Sequence, residues 1–216
     1  MEEAKVRKIV QEVVRKSLQK SKMVPIAASN RHVHLSPEHV ERLFGYQYNL
    51  KKQKDLSQPT QFAAVETVTL IGPKGKIQNV RVLGPARGKT QVEISLFDGF
   101  TLGIEPPIRQ SGDLKGTPSI TIQGPRGQIT IPEGLICAAR HIHMHTSDST
   151  AFGLKDGDVV EVKLEGKRGV IFSNVLIRVS PKYKLEMHID LDEANAANLK
   201  NGQLGEMMKS GGSLSG

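Results

Sequence analysis

Apolar positions along the chain show two textures. Over residues 3–20 they recur at spacings of three and four, at Val6, Ile9, Val10, Val13, Val14 and Leu18, with charged residues between them. That period predicts an amphipathic helix with one apolar stripe. A polar break, Gln19–Lys22, follows it. From Met23 onward the apolar runs are short and rich in β-branched residues. Val65–Ile71, Lys76–Leu83, Gln91–Phe97, Ser119–Gln123, Gln128–Ile131, Val159–Leu164 and Val175–Val179 predict strands, several of them alternating. Turn signals separate them at Gly72-Pro73-Lys74-Gly75, Gly84-Pro85-Ala86-Arg87-Gly88, Gly124-Pro125-Arg126-Gly127 and Gly166-Lys167-Arg168-Gly169. Short strands joined by turns predict barrels or sandwiches rather than a doubly wound sheet. Short helices are expected at Pro37–Phe44, with Ser36 as N-cap and Pro37 at the first helical position, and at Glu193–Leu199 after Asp192.

The pattern also repeats. Ala28-Ser29-Asn30-Arg31-His32-Val33-His34-Leu35-Ser36 resembles Ala138-Ala139-Arg140-His141-Ile142-His143-Met144-His145. Further on, Arg81-Val82-Leu83-Gly84-Pro85 leads to Gln91-Val92-Glu93-Ile94-Ser95, and Arg178-Val179-Ser180-Pro181 leads to Glu186-Met187-His188-Ile189-Asp190. The chain reads as two related halves, each with Arg-His-apolar-His and one later ligand-type residue, Glu93 in the first and His188 in the second.

Composition narrows the function classes. A chain of 216 residues can bury a sizeable core, and no run reaches the roughly 18 apolar residues of a membrane span. The charged start lacks the apolar stretch of a secretory signal, and the single cysteine, Cys137, excludes an internal disulfide framework. A reducing, cytoplasmic setting is the expectation. Aromatics make up only 4% with no Trp, which argues against base stacking on a nucleic acid. The net charge is +8, and residues 1–22 hold seven Lys/Arg against three Glu, so half of the excess sits in the helix. The mildly basic body suits an anionic small molecule.

The histidines carry the chemistry. On a strand, residues i and i+2 share a face, so His32/His34 and His141/His143 can each aim two imidazoles at one point. A third ligand from a neighbouring strand would leave open coordination positions, the layout of a catalytic rather than a structural metal site. Imidazole and carboxylate donors without thiolate favour zinc, with iron, cobalt and nickel as the alternatives. Gly84–Thr90 imitates a phosphate-binding loop but is one residue short between its glycines and joins two strands. His39 reads as a solvated helix residue, and Cys137 as a buried small hydrophobe.

The segments Ser29–Ser36, Gln91–Ser95, Arg109-Gln110-Ser111-Gly112-Asp113, Ala139–Met144 and Glu186–Asp190 resemble, in order and over about residues 23–210, the PduL family of phosphate acyltransferases. The resemblance implies a mainly β fold of two related β-barrel domains with short capping helices and an N-terminal amphipathic helix. The expected organisation is a helix over 1–22, one barrel from 23–31 with 139–210, and a second barrel over 32–138. It implies exchange of coenzyme A and phosphate on a short acyl group, typically propanoyl or acetyl. It also implies two zinc ions per chain, one on His32, His34 and Glu93, the other on His141, His143 and His188. Arg87 is implied to bind phosphate, with Ser29, Gln58, Gln91, Ser111 and Arg178 as polar residues around the site. His145 is not carried over as a ligand. With no Ser-His or Cys-His arrangement evident, direct attack by phosphate is the expected route. A dinuclear zinc hydrolase acting on a thioester or phosphate ester is the rival enzyme, and a non-catalytic scaffold the rival from another class. Residues 1–20 resemble the helices that direct such enzymes into the lumen of a bacterial microcompartment through its shell proteins. A homo-oligomer is also expected.

Overall fold

Residues 2–209 are described in a computed structural model. Met1, residue 210 at the end of the expected first barrel, and the side chain of Leu18 lie outside the described residues. In chain order the first elements are α1 (Glu2–Ser21), β1 (Met23–Ser29), β2 (His32–His34), α2 (Pro37–Phe44), β3 (Lys52–Asp55), β4 (Phe62–Ile71), β5 (Lys76–Gly84) and β6 (Gln91–Glu93). Then come α3 (Leu96–Leu102), β7 (Ile108–Arg109), β8 (Ile120–Gln123), β9 (Gln128–Ile131), β10 (Leu135–Ala138) and β11 (His141–Met144). The last are α4 (Thr146–Phe152), β12 (Val159–Leu164), β13 (Val170–Val179), β14 (Glu186–Asp190), α5 (Leu191–Ala197) and β15 (Gln203–Lys209).

The protein is mainly β, and its contacts divide into two units. One comprises residues 1–28, 140–189 and 194–216. Its strands close into a six-stranded barrel in the order β1-β14-β11-β13-β12-β15, with β15 returning to β1 antiparallel. Val24, Ile26, Ile142, Val162, Ile177 and Met187 fill its core, all but completely buried. The other unit comprises residues 29–139 and 190–193. Its sheet is a curled half-barrel in the order β7-β10-β6-β2-β5-β4-β8-β9, with β3 alongside β4. Val33, Leu35, Leu70, Val82, Val92, Ile122 and Leu135 form its core. Val33 and Ile142, the middle residues of the two His-x-His segments, are fully buried, which anchors each histidine pair to a core.

The register makes the internal repeat explicit. β2 lies between parallel β5 and antiparallel β6. β11 lies between parallel β13 and antiparallel β14. Asn79 and Asn174, both with φ 58, stand at matching places in β5 and β13 and turn the backbone there without a glycine. One part of the sequence echo is displaced. His32 faces Arg81 whereas His141 faces Leu176, so Arg178 matches Leu83 rather than Arg81. The two segments carry different numbers of residues between Arg and Pro, so both could not align at once.

The expected strand Gln91–Phe97 ends at Glu93, and its last residues open α3. Ser95 accepts from Asp98 N while the Asp98 carboxylate accepts from Ser95 N, a capping box that outweighs the β-branched run before it. Gly103 ends α3 in the left-handed region at φ 72. β13 begins five residues earlier than expected, and α5 two residues earlier.

Candidate metal centre

Glu93 stands directly across from His32, and Gln91 from His34, on antiparallel β6. One donor atom each from His32, His34 and Glu93 lies within 4.8 Å of the others, and all three residues are buried. The backbone sets the donors. His32 Nδ1 is 2.8 Å from the Asn30 carbonyl oxygen and donates to it, which turns Nε2 toward Glu93 Oε2 at 3.4 Å. The buried Nδ1 of His34 has no hydrogen-bond partner. An unpartnered buried nitrogen costs free energy unless something fills its lone pair.

The charges agree. Burial alone lowers the His32 pKa, but the charge and hydrogen bond of Glu93 outweigh it and hold it raised. Burial, then the charges of His32 and Arg87, push His34 well below the ordinary imidazole range. Glu93 thus draws positive charge to the point where two imidazoles and one carboxylate meet. That donor set fits a divalent ion of the zinc type.

The surroundings hold the carboxylate. Gln91 Nε2 donates to Glu93 Oε1 at 2.5 Å and to Ser111 Oγ at 2.8 Å, and Gln91 Oε1 accepts from Gly112 N at 2.8 Å. Its amide is engaged on both ends, so Gln91 orients Glu93. Arg87 leaves the turn that follows β5. Its N donates to the Leu35 carbonyl at 2.8 Å, and its guanidinium reaches Gln61 Oε1 at 3.4 Å. Its charge acts on both His32 and His34. Gly84 starts that turn where a Cβ would overlap the Phe62 ring. Gln58 is buried in the same unit.

In the barrel unit, His141 faces His188 across β11 and β14. The rings of His141, His143 and His188 pack at centroid separations of 4.7, 5.3 and 5.0 Å. Arg178 stands opposite His143 on β13. Ser29 ends β1.

Two histidines do other work. His145 caps α4, with its Nδ1 accepting from Ser147 N at 3.1 Å, and so takes the place that Ser36 takes at α2. His39 is not merely solvated: its Nδ1 lies 2.6 Å from Thr90 Oγ1, which also accepts from Ser36 N. Sequence reasoning also passed over the Arg31–Asp98 pair, with contacts of 2.7 and 2.8 Å, which fastens the residue before His32 to α3. The Ser-x-x-Asp spacing of Ser95 and Asp98 signals the start of α3, but no local spacing signals its pairing with Arg31.

Repeated histidine frames on a barrel and a half-barrel, one of them closing with a carboxylate into a buried cluster that could hold a metal ion, define a β-barrel protein with a candidate metal site. A family model described as phosphate propanoyltransferase matches residues 25–200. The chain belongs to that family, and it is a transferase. It is 56% identical over 188 residues to the phosphate propanoyltransferase of Thermotoga maritima, covering 87% of this chain and 90% of the relative. It is 51% identical to that of Clostridioides difficile, over 93% of this chain and 96% of the relative. It is 50% identical to that of Salmonella typhimurium, over 90% and 94%.

Proposed function

We propose that this protein exchanges coenzyme A and phosphate on a short acyl group, propanoyl or acetyl, with two zinc ions per chain. His32, His34 and Glu93 would hold one ion, and His141, His143 and His188 the other. The observation that carries the reading is the convergence of the first three donors, with Gln91 bracing Glu93, in a chain of this family. When bound, zinc supplies a Lewis acid for the thioester carbonyl and an acceptor for the departing sulfur.

The chain's own residues do the rest. Arg87 clamps phosphate through its two-pronged guanidinium and holds it against the acyl carbon. A phosphate oxygen forms the new C–O bond as the C–S bond breaks, and coenzyme A leaves as the thiolate. Ser29, Gln58 and Arg178 are the further polar residues of this reading, while Ser111 acts through Gln91. No protein nucleophile is required. Burial, then the charge of Asp190, raises the Cys137 thiol far above its usual range, which keeps it protonated and unreactive.

Thiol-detected release of coenzyme A from acetyl-, propanoyl- and butanoyl-CoA tests the reading. Release is expected only with phosphate, and Arg87→Ala should raise the phosphate requirement, with Arg87→Lys restoring it in part. Release without phosphate would make the protein a thioester hydrolase instead.

Residues 1–20 serve recruitment in this reading, to a shell protein of a microcompartment. Val6, Ile9, Val10, Val13 and Val14 are each at least half exposed along α1, which supports a helix that docks its stripe in a partner's groove. Among the described residues, no helix is long and apolar enough to cross a membrane. An inert reporter fused to residues 1–20 should concentrate in cells that build such shells. A diffuse reporter leaves only self-association for the stripe.

A further inference from the structure

His32 and Glu93 face each other at one end of the β2–β6 ladder, and the chain leaves that end through Asn30-Arg31 on one side and Ile94-Ser95 on the other. One buried carboxylate holds both exits. Asp98 accepts from Arg31 Nε at 2.8 Å on Oδ2 and from Arg31 Nη2 at 2.7 Å on Oδ1, and the same Oδ2 accepts from Ser95 N at 3.3 Å. Arg31 N in turn donates to Asn30 Oδ1 at 2.8 Å, and the Asn30 carbonyl is the acceptor for His32 Nδ1. We infer that Arg31 and Asp98 are positioning residues for the His32–Glu93 ligand pair. Together they fix the Asn30 carbonyl that aims His32 Nε2, and the strand end that carries Glu93.

Helix capping alone does not account for the pair. The Ser95–Asp98 box closes without the arginine, and Arg31 lies outside α3. A carboxylate buried as deeply as Asp98 needs a counter-charge, and a guanidinium fork on both of its oxygens sets an angle as well as a distance. The repeat makes the contrast. Arg140 precedes His141 as Arg31 precedes His32, but it donates to the Ser173 carbonyl at 2.7 Å and lies over the Phe172 ring at 5.5 Å, both on neighbouring β13. In the closed barrel, the strand stagger is set by closure itself. In the open sheet, the arginine of the frame reaches past the third-ligand strand and ties its far end to β2.

The inference rests on His32, His34 and Glu93 holding a zinc ion, and the test separates the two. Zinc affinity by chelator competition and the visible band of the cobalt-substituted full chain are measured for Asp98→Asn, Arg31→Gln, Arg31→Lys and the double variant of Asp98→Asn with Arg31→Gln. His32→Ala is the reference for a lost site, and circular dichroism shows which variants are folded. Asp98→Asn can keep an oxygen on Ser95 N but sets an amide against the fork. It and Arg31→Gln should each weaken one zinc site by about 10- to 100-fold, the range for a group that orients a ligand, and shift the cobalt band. Arg31→Lys should recover part of the loss, since it keeps the charge without the fork. The double variant should lose no more than the larger single loss, because the two residues act as one unit. Zinc bound by the unaltered chain, with equal affinity and band in the folded single variants, overturns the positioning role alone, and so do losses that add in the double variant. No zinc in the unaltered chain, or a zinc count that His32→Ala leaves unchanged, overturns the metal reading of this cluster and the inference with it. If Asp98→Asn does not fold, Arg31→Gln against Arg31→Lys decides by the same criteria.

Discussion

In the half-barrel unit, β2 runs between β5 and β6 with Glu93 and Gln91 opposite its two histidines; in the barrel unit, β11 runs between β13 and β14 with His188 and Glu186 opposite. Backbone direction, register and the asparagine that turns the parallel strand are the same in both. The side chains differ at the third ligand, at its polar neighbour, and at the helix cap, where His145 replaces Ser36. Thus a strand triplet can be kept as a frame while its chemistry is varied, because faces and spacings come from the backbone alone. The two frames also differ in what restrains them. The barrel closes its sheet on itself, whereas in the open sheet Gln91, Ser111 and Gly112 supply the hydrogen bonds that hold the third ligand.

The sharpest way to break the comparison is to delete one histidine from each frame. His32→Ala and His141→Ala should each remove one zinc ion per chain, counted by metal analysis. Each should lower turnover by more than the roughly 10²- to 10³-fold that loss of a single charge-stabilising donor costs. If His141→Ala keeps the zinc count of the unaltered protein and full turnover, the second frame is a structural copy without a metal.

These frames were legible because strand periodicity fixes which residues share a face, so Arg-His-apolar-His needs no tertiary information to be read. Glu93 and His188 were reached through the echo, since each lies the same number of residues into a matching strand. Arg178 was misplaced against Arg81 because a short echo interrupted by a turn does not fix register; only the ladder beside His143 does. α3 was hidden inside an apolar run whose composition favours a strand. Its capping box acts on two backbone N–H groups and outweighs that preference. The donor atoms were beyond reach as well. Nδ1 of His34 goes unpartnered inside a sheet whose strands come from distant parts of the sequence.

A middle-sized effect sharpens the contrast in support. Gln91→Leu keeps the side chain's bulk and removes its hydrogen bonds to Glu93 and Ser111 and the one it accepts from Gly112 N. It should weaken zinc binding at the first cluster by about 10- to 100-fold, read by chelator competition, and leave the second cluster unchanged. Ser111→Ala removes only the brace on Gln91 and should cost less. Equal affinities in Gln91→Leu and the unaltered protein would mean that β6 alone positions Glu93.

The smallest effect concerns the caps that follow the third-ligand strands. Ser95 caps α3 after β6, and Asp190 occupies the same place after β14, its Oδ1 accepting from Glu193 N at 2.9 Å. Asp190 has an extra partner, the buried thiol of Cys137, whose Sγ donates to its Oδ2 at 3.3 Å. Burial, and then the charge of Asp190, oppose a thiolate at Cys137. The thiol is therefore a packing group that completes one carboxylate's hydrogen bonds. Cys137→Ala should leave turnover within about twofold and lower stability by about 1 kcal/mol, the common size for a small buried change. Thermal unfolding followed beside the coenzyme A release assay measures both. An acylated Cys137 trapped during turnover would overturn direct attack by phosphate. A variant that loses turnover but keeps its stability would make the thiol part of the chemistry rather than of the cap.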